Sequence, residues 1–279
     1  YGDADMINVF KNNKFIEPIA ATKPAPGNLL TLQAKKLKCT HAMHFSSFHK
    51  YVREDSVWAN RYTTPEKDLK RGWDKKIGYF KQFSSILITE DGFKKIPTIY
   101  PTKNDLPIHP PEKYGDKWDD ELTDFDEKFV IKYLNKIAKV NKNSFSIKVG
   151  SRIVSPDQKF HKSKSSFIFH APRKSLLRAI KSNIFDDLLI GNFAKVYILE
   201  NQPVNFKNTF KVASKYIDNA GVNNLEELKK FLWVYRNSYD NKLVQIKSEI
   251  KVKSRDLILS KLISNKKILG VLKNIYQRF

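Results

Sequence analysis

The period of apolar and polar positions changes several times along the chain. In PGNLLTLQAKKLKC (Pro26 to Cys39), Leu29, Leu30, Ala34 and Leu37 fall near one helical face, and THAMHFSS follows after a short turn as a strand. A helix feeding a strand is the repeating unit of a layered α/β sheet. Thr64 to Phe80 predicts a second helix, with Thr64 as N-cap, Pro65 in the first turn, and Leu69, Trp73, Ile77 and Phe80 on one side. SSILIT reads as the next strand and EDG as its turn.

Between Ile96 and Trp118 the periodicity fades. IPTIYPTKNDLPIHPPEKYGDKW holds five prolines, the composition of a linker or a long ordered loop. The expected division is therefore residues 1–117, including a Pro-rich linker at 96–117, and residues 118–279. In the second part, DFDEKFVIKYLNKIAKV sets Phe125, Phe129, Tyr133, Ile137 and Val140 on one helical stripe, and SFSIKVGSRIV alternates like a strand. SSFIFHAPRKSLLRAIKSN predicts a strand and then a helix starting near Pro172; AKVYILEN predicts another strand, and the tail reads as helices. The fold class expected is α/β for the first part, followed by a smaller α+β domain ending in helices.

Charge changes this picture less than its size suggests. The formal net charge is +22, which points to nucleic acid or anionic lipid as partners. Yet 42 of the 51 cations are lysines, spread along the chain, whereas arginine is the residue suited to bidentate phosphate and base contacts. A solvated lysine surface is the favoured reading and nucleic acid the rival. The lone Cys39 excludes an internal disulfide and fits a reducing, cytoplasmic compartment. No apolar run reaches the roughly 18 residues of a membrane span. The first residue is Tyr1 and GDADMINVF reads as the inside of a fold, so a fragment is expected.

The candidate chemistry centres on CTHAMHFSSFHKYVREDSVWAN. Alternation along a strand puts His41 and His44 on opposite faces, so the two cannot share one metal from a regular strand. His49 would lie past the strand end, at the sheet edge where α/β proteins place their sites. Tyr51, Arg53 and Asp55 follow in a polar loop anchored by Trp58. Asp3 and Asp5, with Asn8 nearby, could bind a hard or borderline cation, though an i, i+2 carboxylate pair is also common in turns, and Asp186 with Asp187 reads as a cap, with a catalytic role as the rival, before the apolar run that leads to Gly191 and Asn192. The chain has no Gly-rich phosphate loop, no G-x-S-x-G elbow, no C-x-x-C pair and no H-E-x-x-H.

HFSSFHKYVREDSVWANRYTTPEKDLKRGW, with GDADMINVF before it and FHAPRKSLLRAIKSNIFDDLLIGNF after it, resembles the later part of metallo-β-lactamase-fold hydrolases, in the branch similar to CMP-N-acetylneuraminate hydroxylase and the UlaG-type lactonases. That resemblance implies an αββα layering and Zn, Mn or Fe at one edge, where a metal lowers the pKa of bound water from about 15.7 to about 7. The family's H-x-H-x-D-H motif does not occur in this sequence, so the resemblance implies a second half whose metal ligands lie upstream, itself metal-poor and inactive. It assigns the last ligand to His49, with His44 in reserve, and Asp5, Asn8, Tyr51, Arg53 and Asp55 to the substrate side, the substrate being a small phosphorylated, sugar-derived or lipid-like molecule. Asp186, Asp187, Gly191 and Asn192 mark the C-terminal extension. Two other readings stand beside it: a lysine-rich nucleic-acid module, and membrane docking through the basic helix Arg255 to Phe279.

Overall fold

The computed structural model describes residues 7–17, 26–44, 50–63, 70–97, 106–141, 145–160, 167–199 and 206–238. The first elements are β1 (Asn8–Lys11), β2 (Lys14–Ile16), α1 (Pro26–Lys36), β3 (His41–Met43), β4 (Gly78–Phe80), β5 (Ser85–Thr89) and β6 (Gly92–Ile96). Then come α2 (Asp124–Val140), β7 (Ser146–Val149), β8 (Arg152–Val154), β9 (Phe167–His170), α3 (Arg173–Ser182), α4 (Asp187–Ile190), β10 (Lys195–Ile198), α5 (Phe206–Lys211) and α6 (Leu225–Asn237). A π-helical stretch, Val212–Asp218, continues α5. The chain forms two compact units, Tyr1–Met6 with Pro18–His109 and Ile7–Glu17 with Pro110–Phe279.

In the first unit, β3 and β4 pair in parallel and β5 and β6 form an antiparallel hairpin. His41 stacks on Phe80 at 4.9 Å and meets Phe93 edge-on at 4.6 Å. The helix expected over Thr64 to Phe80 does not extend through its described part. Gly72 adopts φ +72°, a left-handed conformation that ends a helix, and the Trp73 indole donates to the Ile77 carbonyl at 2.7 Å. Gly78–Phe80 then joins β3 as a strand.

The second unit is built on a six-stranded mixed sheet in the order β2-β1-β10-β9-β7-β8. Strand pairs β1/β10 and β9/β7 are parallel, and the others are antiparallel. Residues 7–17, placed with the first half by the sequence reading, are two strands of this sheet, because β1 pairs with the distant β10. Alternation sends Val9, Val196, Phe169, Ile147 and Val154 to one face as a continuous row, and all five are buried. That face receives Val130, Leu134 and Ile137 of α2, Leu176 and Ile180 of α3, and Phe210. Phe145 and Phe167 stack at 5.1 Å, with Phe210 edge-on to both at 5.6 and 5.4 Å. Such aromatic contacts are worth about 0.5–1.5 kcal/mol each beyond the area they bury.

The helix starts explain how this layer is held. Thr123 and Asp126 make a capping box at α2: the Thr123 hydroxyl accepts the Asp126 N–H at 3.2 Å, and Asp126 Oδ2 accepts the Thr123 N–H at 3.0 Å. The same oxygen accepts Arg173 Nε and Nη2 at 2.9 and 2.6 Å, tying the start of α2 to the start of α3. Burial works to raise the Asp126 carboxyl, but the Thr123 hydrogen bonds and the Arg173 guanidinium outweigh it and leave the group below its ordinary value. Of the stripe expected on α2, Phe125 is 80% exposed, since it lies in the first turn before the helix meets the sheet, whereas Phe129, Tyr133, Ile137 and Val140 turn inward.

Candidate functional site

Asp5 and His49 lie outside the described residues, as do Asp3 and Arg255 to Phe279. His44, one residue past β3, is 4% exposed. Tyr51, Arg53 and Asp55 lie in one compact loop. Tyr51 is buried with Ala59 beneath Trp58 and Tyr62, and its N–H and C=O are both engaged by the Asn60 side chain at 2.8 Å. Arg53 Nε and Nη2 donate to the two Asp55 oxygens at 2.7 and 3.1 Å. Asn8 is buried in β1, in the other unit from these three residues.

In the C-terminal motif, Asp186 precedes the short helix α4 without making a side-chain cap, and Asp187 is its first residue. Gly191 packs so closely that a Cβ would lie 2.6 Å from the Phe193 ring, and Asn192 is buried, its Nδ2 donating to the Ile190 carbonyl at 3.0 Å. Beside them, Asp218 accepts the Phe185 N–H at 2.9 Å and the Tyr133 hydroxyl at 3.1 Å. Burial, with Asp186 adding to it, pushes the Asp218 carboxyl up, and burial also raises the Tyr133 phenol well above its usual value. Among the described residues, no group of three or more His, Cys, Asp or Glu side chains could hold a metal ion.

The chemistry that the sequence did not single out lies on the second face of the six-stranded sheet. The strand positions that alternate with the core row form two rows there. One is Phe15, Phe10, Tyr197 and Ile168; the other is Asn8, Lys195, His170 and Lys148. The buried core takes none of these residues. Phe10 and Tyr197 stack at 5.3 Å with an interplanar angle of 24°, and Phe15 meets Phe10 edge-on at 5.9 Å. An aromatic row thus runs beside a basic one, about 7 Å away at two residues per repeat.

His170 sits between the two lysines of the basic row. Its ring meets Trp118 at 4.8 Å and 76°, and the Lys195 ammonium lies 4.7 Å from the Trp118 ring centre. Burial first, then the charges of Lys148 and Lys195, lower the imidazole to about 4, so it is neutral at neutral pH. Both of its ring nitrogens are shielded from solvent and have no hydrogen-bond partner among the described residues. Lys148 also lines a shallow cleft of about 440 Å³ with Trp118, Asp119, Glu121, Gly150 and Ser151. There Glu121 accepts the Ser151 N–H at 2.7 Å, and hydrogen bonding from Ser151 holds its carboxyl low.

The sequence signal for these rows was present but unread. Lys148, His170 and Lys195 are polar positions within the alternating runs SFSIKVG, FIFH and AKVYI, and only strand register aligns them. No helix among the described residues is long and apolar enough to cross a membrane. No family model, curated protein or solved structure matches the chain.

Proposed function

We propose that the second unit binds single-stranded nucleic acid on the second face of its sheet. The observation that carries this reading is the aromatic row Phe15, Phe10 and Tyr197 running beside the row that holds Lys195 and Lys148. Unstacked bases settle on aromatic faces, at about 1–3 kcal/mol per base, and a cationic track follows the phosphates. The net charge of +22 adds long-range attraction.

Fluorescence anisotropy of a labelled oligothymidylate with the full chain tests it. Binding should weaken with salt by about 0.7 log units per log unit for each phosphate neutralised. Tyr197→Ala and Phe10→Ala should each cost about 1–3 kcal/mol of affinity. Absence of binding at low salt would refute the reading. So would binding that all of Phe10→Ala, Tyr197→Ala, Lys148→Ala and Lys195→Ala leave unchanged, since the affinity would then belong to bulk charge.

The metallo-β-lactamase-like layering, a metal-dependent hydrolase activity and a cytoplasmic location form a separate proposal, supported by the sequence resemblance alone. Metal analysis of the chain expressed together with any coding sequence that precedes Tyr1, with and without His49→Ala, tests it: no bound transition metal, and no loss on His49→Ala, would count against it.

A further inference from the structure

We propose that Lys148, His170 and Lys195 form a seat for one tetrahedral oxyanion of the phosphate type, taken up together with a proton on the imidazole. The source of that anion, a phosphodiester of the bound strand, rests on the nucleic-acid reading above. The three side chains occupy one ladder row on neighbouring strands β7, β9 and β10. Strand spacing puts the two lysine Cα atoms roughly 10 Å apart with His170 midway, so both ammonium groups can close on one anion at the edge of the imidazole.

The observation that calls for a ligand is a set of nitrogen groups without hydrogen-bond partners. Both His170 nitrogens are buried and unpaired, and neither half-buried lysine has a carboxylate partner among the described residues. Buried polar groups in folded proteins are nearly always paired, so an unpaired set of this kind marks a place for an ion or ligand. An oxyanion supplies an acceptor for the two ammonium groups and for one N–H of the protonated imidazole, and offsets the repulsion among the three groups.

The other charged groups leave the arrangement intact. Lys148 and Lys195 are the charges that act on the imidazole, and Tyr197 approaches it from β10 at 6.2 Å. Asp119 and Glu121 line the cleft on the Lys148 side, where Glu121 is occupied by Ser151. Without an anion, the two lysines and the surrounding apolar groups keep His170 neutral. An anion between the lysines reverses the field, so binding and protonation help one another by the same factor. Trp118 covers the imidazole and must shift for an anion to reach it.

The test is an NMR pH titration of the His170 ring in the full chain, alone, with sulfate, and with oligothymidylate. Sulfate and the thymidylate phosphodiesters keep their charge throughout the acid range, and thymine takes no proton there. The expected result is an upward displacement of the His170 midpoint by about one unit with either probe. By linkage, thymidylate affinity then rises by up to about tenfold through that range, an effect lost in His170→Gln and reduced in Lys148→Ala. A strand that binds with the midpoint unmoved overturns the oxyanion seat and leaves the nucleic-acid reading standing. A midpoint moved by sulfate, with no strand binding, keeps the seat and overturns that reading. No response to either probe overturns both.

Discussion

Helix α3 has Pro172 at its N-cap, whose side chain cannot cap it, and the missing acceptor comes from Asp116, 59 residues before the Ser175 that it binds. Asp116, 1% exposed, accepts the Ser175 N–H on Oδ1 at 3.0 Å and the Ser175 hydroxyl on Oδ2 at 2.6 Å. It therefore does the work of an N-cap while placing a negative charge at the positive end of the helix. A charge-assisted hydrogen bond contributes about 1.5–3 kcal/mol, a lost cap costs about 1 kcal/mol and the dipole contact adds about 0.3–1 kcal/mol. These terms overlap, so Asp116→Ala should destabilise the second unit by about 3 kcal/mol. With a urea slope near ~2 kcal/mol per M, its midpoint falls by about 1.5 M. Asp116→Asn keeps an acceptor for the amide, and the serine hydroxyl can turn to accept from the new NH₂, so its cost should be about 1 kcal/mol. Hydrogen exchange on the amides of α3 reports this unit separately from the first. A double-mutant cycle with Ser175→Ala should return a coupling of about 1–2 kcal/mol. A coupling near zero, or an Asp116→Ala variant within about 0.5 kcal/mol of the parent, would refute the capping argument.

Asp126 carries a depressed folded-state pKa, so its contribution to stability is present above the unfolded value of about 4 and disappears as pH falls through the folded value. Asp126→Asn should flatten that acid limb, as read from urea midpoints between about pH 2 and 5. Asp218 behaves oppositely: its raised carboxyl favours the folded state while protonated, and that advantage is lost as pH rises from the unfolded value through the folded one. Asp218→Asn should match or exceed the parent in calorimetric Tm at pH 7, whereas Asp218→Ala, leaving the Phe185 amide unpaired, should lose about 1–3 kcal/mol. Phe169→Ala empties the centre of the aromatic core and should cost about 3–5 kcal/mol in the same scans. Gly150→Ala should destabilise by about 1 kcal/mol or more, because the residue has φ +56° and its Cβ would lie 2.7 Å from the Glu121 carboxylate.

Elements whose cause is local were legible in the sequence. The α2 helix, the strands SIKV and FIFH, and the capping asparagine Asn224 of α6 are written in short-range period and cap chemistry. Phe125 fell off its stripe because periodicity does not say where along a helix the sheet begins to cover it. The helix expected over Thr64 to Phe80 has one apolar side on paper, but within the described residues 70–80 Gly72 and the pairing of Gly78–Phe80 with β3 override it. The proposed site was illegible for a different reason. Lys148, His170 and Lys195 become neighbours only through the registers β7/β9 and β9/β10, and pairing partners are not encoded in either strand alone.

The hairpin β1/β2 belongs to the sheet of the second unit, although most of the first unit follows it directly in the chain. During synthesis this hairpin emerges early and must wait for β10, its parallel partner, until nearly the whole sheet has been made. Residues Pro18–His109, which with Tyr1–Met6 form a compact unit of their own, can condense in that interval. The β1/β10 pair joins segments far apart in the chain, so docking of the waiting hairpin onto β10 is the contact expected to form last. A ribosome-stalled chain ending before Lys195 should hold a folded first unit and a β1/β2 hairpin whose β10-facing edge is unpaired.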